Sequence, residues 1–171
     1  SPSSAASDVY KRQMTPGEEV FIKVDQTLTH DINAVMTYLA FEATGLNRRR
    51  TECSVSYLDH NLLYVDHKTP DDHIYLQSAA KRFGVHVSRP GNGICHTVHV
   101  ARFGAPGKIS MGGDSHTPHG GSIGMLCIGV GGMGYTTFTI AGPTGEGLTS
   151  AKSFCRKRRC VLQDGLHIRM K

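Results

Sequence analysis

Three short groups of residues hold the functional groups needed for proton transfer and for binding an anion. Asp114, Ser115 and His116 place a carboxylate, a hydroxyl and an imidazole on successive positions. Asp59 and His60 set a carboxylate directly beside an imidazole, a pairing that favours the charged, proton-donating form of the ring. His96 follows the turn-rich stretch Arg89-Pro90-Gly91-Asn92-Gly93. Such groups suit a hydroxylated or anionic substrate and chemistry near neutral pH. Each also has a plainer reading. An isolated Asp-Ser-His is a polar strand-to-helix turn with a capping side chain, and Asp-His at a strand end is an ordinary turn.

The elements that position these groups follow from the hydrophobic pattern. Residues 108–111, Lys-Ile-Ser-Met, read as a short buried strand that delivers Asp114 at its carboxyl end. Residues 53–57 read as a second strand ending at Asp59-His60, and residues 85–88 alternate as a third. Residues 20–24, Val-Phe-Ile-Lys-Val, read as a core strand whose polar end, Asp25-Gln26-Thr27, is within reach of a ligand; Gln26 is expected in a turn. Ile32, Val35, Met36, Leu39, Ala40 and Ala43 recur at helical spacing. They predict a core-facing helix with Met36 and Phe41 in packing, capped by Thr29 or Asp31 and stopped by Gly45. A further helix starts with Thr69 as cap and Pro70 at its first position, and ends at Gly84. In open α/β sheets, the carboxyl ends of strands are where ligands bind.

Residues 112–134 read GGDSHTPHGGSIGMLCIGVGGMG, and the glycines there allow close backbone approach and N–H groups free to meet an anion. His67 and His73 are expected in solvent, His86 structural or exposed, and His99 and His119 without a site role.

The chain has 171 residues, 39% hydrophobic and 19% charged, as expected for a soluble globular domain with a real core. No apolar run approaches the ~20 residues of a membrane span, and the first residues lack the apolar stretch of a secretory signal. The net charge of +5 is concentrated in two runs, residues 48–50 and 156–159. Without interleaved aromatics, these read as solvated basic segments and not as a nucleic-acid surface. Five cysteines with no Cys-x-x-Cys pair suit a reducing compartment and no zinc site of the usual spacing. Residues 1–17 read as a flexible or non-native extension. Residues 143–171 read as an unmatched, disordered basic tail, for which a reading error in the source sequence is one origin.

The segment DSHTPHGGSIGMLCIGVGG closely resembles the DSHTPxGGGxGxxxxGVGG signature of the aconitase superfamily, which includes aconitate hydratase, homoaconitase and the large subunit of 3-isopropylmalate dehydratase. The resemblance extends through RPGNGICH at residues 89–96, LDHNLL at 58–63 and VDQT at 24–27, and covers about residues 18–142. It implies a partial three-layer α/β/α domain of a larger enzyme, closest to aconitate hydratase. That enzyme would be a hydro-lyase acting on a small hydroxy-tricarboxylate, in the cytoplasm or, in a eukaryote, the mitochondrial matrix. In the family the Asp-His pair, here Asp59 and His60, protonates the leaving hydroxyl. Asp114 and His116 would hydrogen-bond substrate, His96 would support them, and Ser115 would contact a substrate carboxylate. Some members place a substrate-contacting Gln where this chain has Val24. The family's [4Fe–4S] cluster takes its cysteine ligands, and the reaction its serine base, from downstream domains, the chain's expected partners. Cys127 would be packed and not a ligand.

Overall fold

The computed structural model of the chain describes residues 19–22, 24–130 and 166–169. A five-stranded parallel sheet is built from β2 (Gln26–His30), β3 (Cys53–Tyr57), β4 (His86–Ser88), β5 (Ile109–Gly112) and β6 (Leu126–Gly129), in the spatial order β4-β3-β2-β5-β6. Three helices connect them: α1 (Asp31–Ala43), α2 (Lys68–Phe83) and α3 (Cys95–Phe103). A 3-10 helix, Thr117–Ile123, lies between β5 and β6. The chain steps outward from β2 to β3 to β4, then crosses back through α3 to β5 on the other side of β2. The winding therefore reverses between β2 and β5, the position where open α/β sheets form a ligand crevice. No described helix is long and apolar enough to cross a membrane.

Two layers cover the sheet. α1 and α2 pack together through Ala34, Tyr38, Phe41, Leu76, Ala80 and Phe83. On the other side, Leu28, Val55 and Tyr57 pack with Cys95, Val98 and Phe103 of α3. This is the expected α/β/α arrangement.

The central strand is displaced from its expected place. The apolar run at residues 20–24 does not enter the sheet; β1 (Glu19–Ile22) instead pairs antiparallel with β7 (Leu166–Arg169). The core strand is the polar-looking Gln-Thr-Leu-Thr-His of β2, buried along its whole length. Its Thr27 hydroxyl is accommodated across the ladder, whereas Thr29 Oγ1 is buried without a partner. Thr27 Oγ1 donates to Ser54 Oγ at 2.6 Å, and Thr51 Oγ1 lies 2.6 Å from the same atom. A paired hydroxyl can be buried at little cost, so composition alone hid this strand. Asp25 consequently sits at the amino end of the sheet. It accepts the Ile109 N–H at 3.0 Å and lies 3.8 Å from Lys108 Nζ, far from the strand tips expected to reach a ligand.

The buried face of α1 also differs from the expected one. Ile32, Met36 and Leu39 are exposed, and Ala34, Thr37, Tyr38 and Phe41 face inward. Two stripes with helical spacing competed. The inner one carries the aromatic rings, which bury the larger area: Phe41 meets Phe83 edge-on at 4.6 Å and Tyr38 stacks on Phe83 at 6.1 Å. Neither Thr29 nor Asp31 caps this helix, whose N-cap His30 makes no side-chain capping bond. Thr69 does not cap α2 either: the helix begins at Lys68, whose N–H is taken by Asp66 Oδ1 at 3.0 Å. The stops at Gly45 and Gly84 fall as expected, both at positive φ.

The first arginine run is partly structural. Arg49 donates to the carbonyls of Gly84, Thr51 and Glu52 at 2.5, 2.6 and 2.7 Å, holding its loop against the end of α2. The second run, and the segment from Tyr135 to Ile140 that reads as a strand or strained helix, lie outside the described residues, as does most of the basic tail.

Candidate active site

The carboxyl tips of β2, β3 and β5 and the first turn of α3 converge on one buried carboxylate, Asp114. Its main chain is locked by Thr117, whose N–H and Oγ1 both donate to the Asp114 carbonyl at 3.1 and 2.6 Å. Its Oδ1 accepts the His116 N–H at 2.7 Å. Close approach needs glycine here: a Cβ on Gly112 would stand 2.2 Å from Thr117 Oγ1. The Gly-rich segment thus serves packing, and several of its N–H groups are spent internally, as in Met125 N–H to Gly120 O at 3.2 Å.

Imidazoles surround this carboxylate. His96 Nδ1 lies 3.2 Å from Asp114 Oδ1, His60 Nε2 3.8 Å from Oδ2, and His116 Nδ1 3.6 Å from Oδ1. His116 stacks on His96 with ring centroids 5.1 Å apart but stays largely exposed, at the rim. Ser115 is exposed beside it, its Oγ 3.2 Å from His116 Nδ1. His119 is exposed, with its ring 5.9 Å from that of His96.

Asp59 and His60 form a dyad with a defined direction. Asp59 Oδ1 lies 2.9 Å from His60 Nδ1, and Asp59 Oδ2 accepts the Cys95 N–H at the start of α3, at 2.5 Å. A carboxylate that accepts at both oxygens assigns the proton on Nδ1 to His60. The opposite ring nitrogen, Nε2, then faces Asp114.

Two site residues had no distinct signal in the sequence. His30 ends β2, with its ring 4.5 Å from that of His60 and its Nε2 4.0 Å from Asp114 Oδ2. Burial first, then the His60 imidazole, push His30 below its ordinary value, against the opposing pull of Asp114 and Asp59. Asp31 does not cap its helix. Its carboxylate crosses to the loop after β3, accepting the N–H groups of His60 at 3.2 Å and Asn61 at 2.7 Å. His73, expected in solvent, is buried behind it, with Nε2 3.2 Å from Asp31 Oδ2 and Nδ1 3.2 Å from Tyr64 Oη. The reason is tertiary: α2 packs on α1 and brings His73 over the first turn of that helix. His67 and His86 are exposed, as expected.

His99 and Gln26 also take unexpected places, in a buried network behind the site. Gln26 Nε2 donates to Phe103 O at 2.7 Å, which leaves Oε1 to accept from His99 Nε2 at 3.1 Å. His99 Nδ1 must then accept the Tyr57 hydroxyl, 3.0 Å away. His99 is held neutral, its pKa lowered by burial from 6.5 to about 4. Protonation favours the unfolded chain, so stability is full above pH 6.5 and falls as pH drops toward 4. At 1.36 kcal/mol per pH unit between those values, the loss is at most about 3 kcal/mol. Urea midpoints measured from pH 7 to pH 4 should show it, and His99→Gln should flatten the profile; a slope unchanged by that substitution overturns the assignment.

An iron–sulfur cluster of the implied type takes several cysteine thiolates. Among the described residues Cys53, Cys95 and Cys127 are free, and no group of candidate ligands contains more than one cysteine. The described residues do not fit as the ligands of such a cluster.

The chain is 37% identical over 118 residues to homocitrate dehydratase, mitochondrial, of Saccharomyces cerevisiae, covering 63% of this chain and 15% of that one. It is 35% identical over 149 residues to an aconitase–ribosomal protein bL21m fusion protein of Schizosaccharomyces pombe, covering 75% and 16%. A 42-residue stretch, 25% of the chain, is 71% identical to 9% of propanal dehydrogenase (CoA-propanoylating) of Citrobacter freundii. The chain thus spans about 15% of the length of its aconitase-type relatives. The model of the aconitase family (aconitate hydratase) matches residues 6–144, most of the sequence and every residue around Asp114; the chain belongs to the aconitase family.

Proposed function

We propose that this chain is the part of a hydro-lyase that protonates the leaving hydroxyl of a hydroxy-tricarboxylate. The observation that carries this reading is the directed dyad: Asp59 holds His60 by Nδ1 and leaves Nε2 facing Asp114 in the switch-point crevice. As imidazolium, His60 gives its Nε2 proton to the departing hydroxyl, which leaves as water, and the neutral ring keeps its Nδ1 proton, hydrogen-bonded to Asp59. Asp114 and His96 hold the substrate hydroxyl. Ser115 and His116, exposed at the rim, meet a substrate carboxylate. The base that removes the carbon-bound proton, and the [4Fe–4S] cluster, would come from the remaining length of the enzyme.

The relatives' names favour aconitate hydratase or homocitrate dehydratase activity over 3-isopropylmalate dehydratase, and a mitochondrial location if the source is eukaryotic. Assaying the complete protein with citrate, isocitrate and homocitrate tests the reading. Reversible dehydration of at least one, abolished by Asp114→Ala, is the expected result; no turnover of any of them rejects it. If the chain is instead a non-catalytic polycarboxylate module, calorimetry with citrate on the 171 residues alone gives saturable binding without turnover in the complete protein.

A further inference from the structure

We propose that His73 and Tyr64 are positioning residues for the acid: together with Asp31 they clasp the loop that carries His60. This role rests on the assignment of His60 as the acid. The loop runs from the end of β3 to the start of α2. Its first residue, Leu58, is wholly buried, but the apolar side chains after His60 are not. Leu63 and Val65 are 89% and 95% exposed, and Leu62 and Tyr64 are exposed as well. Apolar packing therefore does not hold this part of the loop, and polar ties decide where it sits.

Those ties grip it at two points. Asp31 accepts the N–H groups of His60 at 3.2 Å and Asn61 at 2.7 Å. Three residues on, the Tyr64 hydroxyl lies 3.2 Å from His73 Nδ1, with the two rings edge-on at 5.6 Å. His73 Nε2, 3.2 Å from Asp31 Oδ2, joins the two points. Asp31 accepts at both oxygens, so the His73 proton is assigned to Nε2, and Nδ1 accepts the Tyr64 hydroxyl. The inner side of the clasp is firmly held. Asp31 opens α1 and His73 sits on the second turn of α2. Tyr38, Phe41, Leu76 and Phe83 pack these two helices together. Asp31 and His73 are 3% and 4% exposed, and a hydrogen bond to a charged group is strong in such a setting. Neither His73 nor Tyr64 bonds to Asp59, to the His60 ring or to Asp114; they act through Asp31 and the loop backbone. Asp59 sets the direction of the His60 ring, and the clasp sets its place. A displacement of about 1 Å at a reacting group can cost about 10²-fold in rate.

Kinetics of the complete enzyme test this. His73→Phe should lower kcat by about 10-fold or more with KM changed by less than about threefold, because the acid is misplaced while substrate binding is kept. His73→Gln, whose amide can still donate to Asp31, should recover most of the loss. In a His60→Gln background, His73→Phe should cost nothing further in kcat, since the group it positions is gone. Losses that add in that background, or full kcat in His73→Phe, overturn the proposal. Turnover lost in His60→Gln but kept in His73→Phe overturns this proposal alone, whereas turnover kept in both overturns the acid assignment as well. Hydrogen exchange of the complete protein, read by mass spectrometry, is independent of turnover and of whether His73→Phe folds. Tyr64→Phe removes one hydroxyl at the exposed end of the clasp. It should speed exchange at the amides of residues 60–64 and leave those of β3 unchanged; unchanged exchange at residues 60–64 overturns the clasp.

Discussion

His60→Gln in the complete enzyme is expected to lower kcat by about 10²-fold or more, the usual effect of removing a general acid. Glutamine can still hydrogen-bond a hydroxyl, so KM should change much less than kcat. Asp59→Asn is expected to do comparable damage by a different route. The asparagine carbonyl would accept the Cys95 N–H, as Asp59 Oδ2 does now. Its amide would then donate to His60 Nδ1, which today faces a carboxylate oxygen at 2.9 Å. The ring is forced into the opposite tautomer, and its charged form loses its partner. Turnover within threefold of the unmodified enzyme for His60→Gln would remove the acid from the mechanism.

The second large effect is on stability. Asp31→Ala is expected to cost about 3 kcal/mol or more, because one buried carboxylate serves several hydrogen-bond donors at once. The carboxylate is almost wholly buried and serves three groups: the N–H of His60, the N–H of Asn61 and His73 Nε2. Deleting it leaves the buried His73 ring and two part-buried amides without their acceptor, at up to about 1–3 kcal/mol for each group left unsatisfied. The urea midpoint should fall accordingly, and the amides of residues 60 and 61 should exchange faster than those of β3. A loss below about 1 kcal/mol would mean that water replaces the carboxylate and that Asp31 does not hold the loop.

The parts of the site legible in the sequence are those written on consecutive residues. Asp114-Ser115-His116 and Asp59-His60 carry their chemistry locally, and their place after short buried runs puts them at strand ends. The gap between the expected and the observed central strand shows where this reading stops. An apolar run at residues 20–24 looks more like a core strand than Gln-Thr-Leu-Thr-His does, yet the latter is buried because Ser54 lies across from Thr27. That partner is 27 residues away in sequence. The phase of α1 was ambiguous for the same kind of reason. Both of its stripes are apolar, and only the position of Phe83 on α2 decides which one turns inward.

Neighbouring residues and backbone preference were enough for the family resemblance, the two helix stops at glycine and the adjacency of Asp59 and His60. Only the tertiary structure decided that His30 and Asp31 belong to the site, that His73 and His99 are buried, and that Cys95 stands beside His96 and Asp114. Those facts depend on the strand order β4-β3-β2-β5-β6. That order is set by pairings across long stretches of chain, and it brings the tips of β2 and β5 together at the point where the winding reverses.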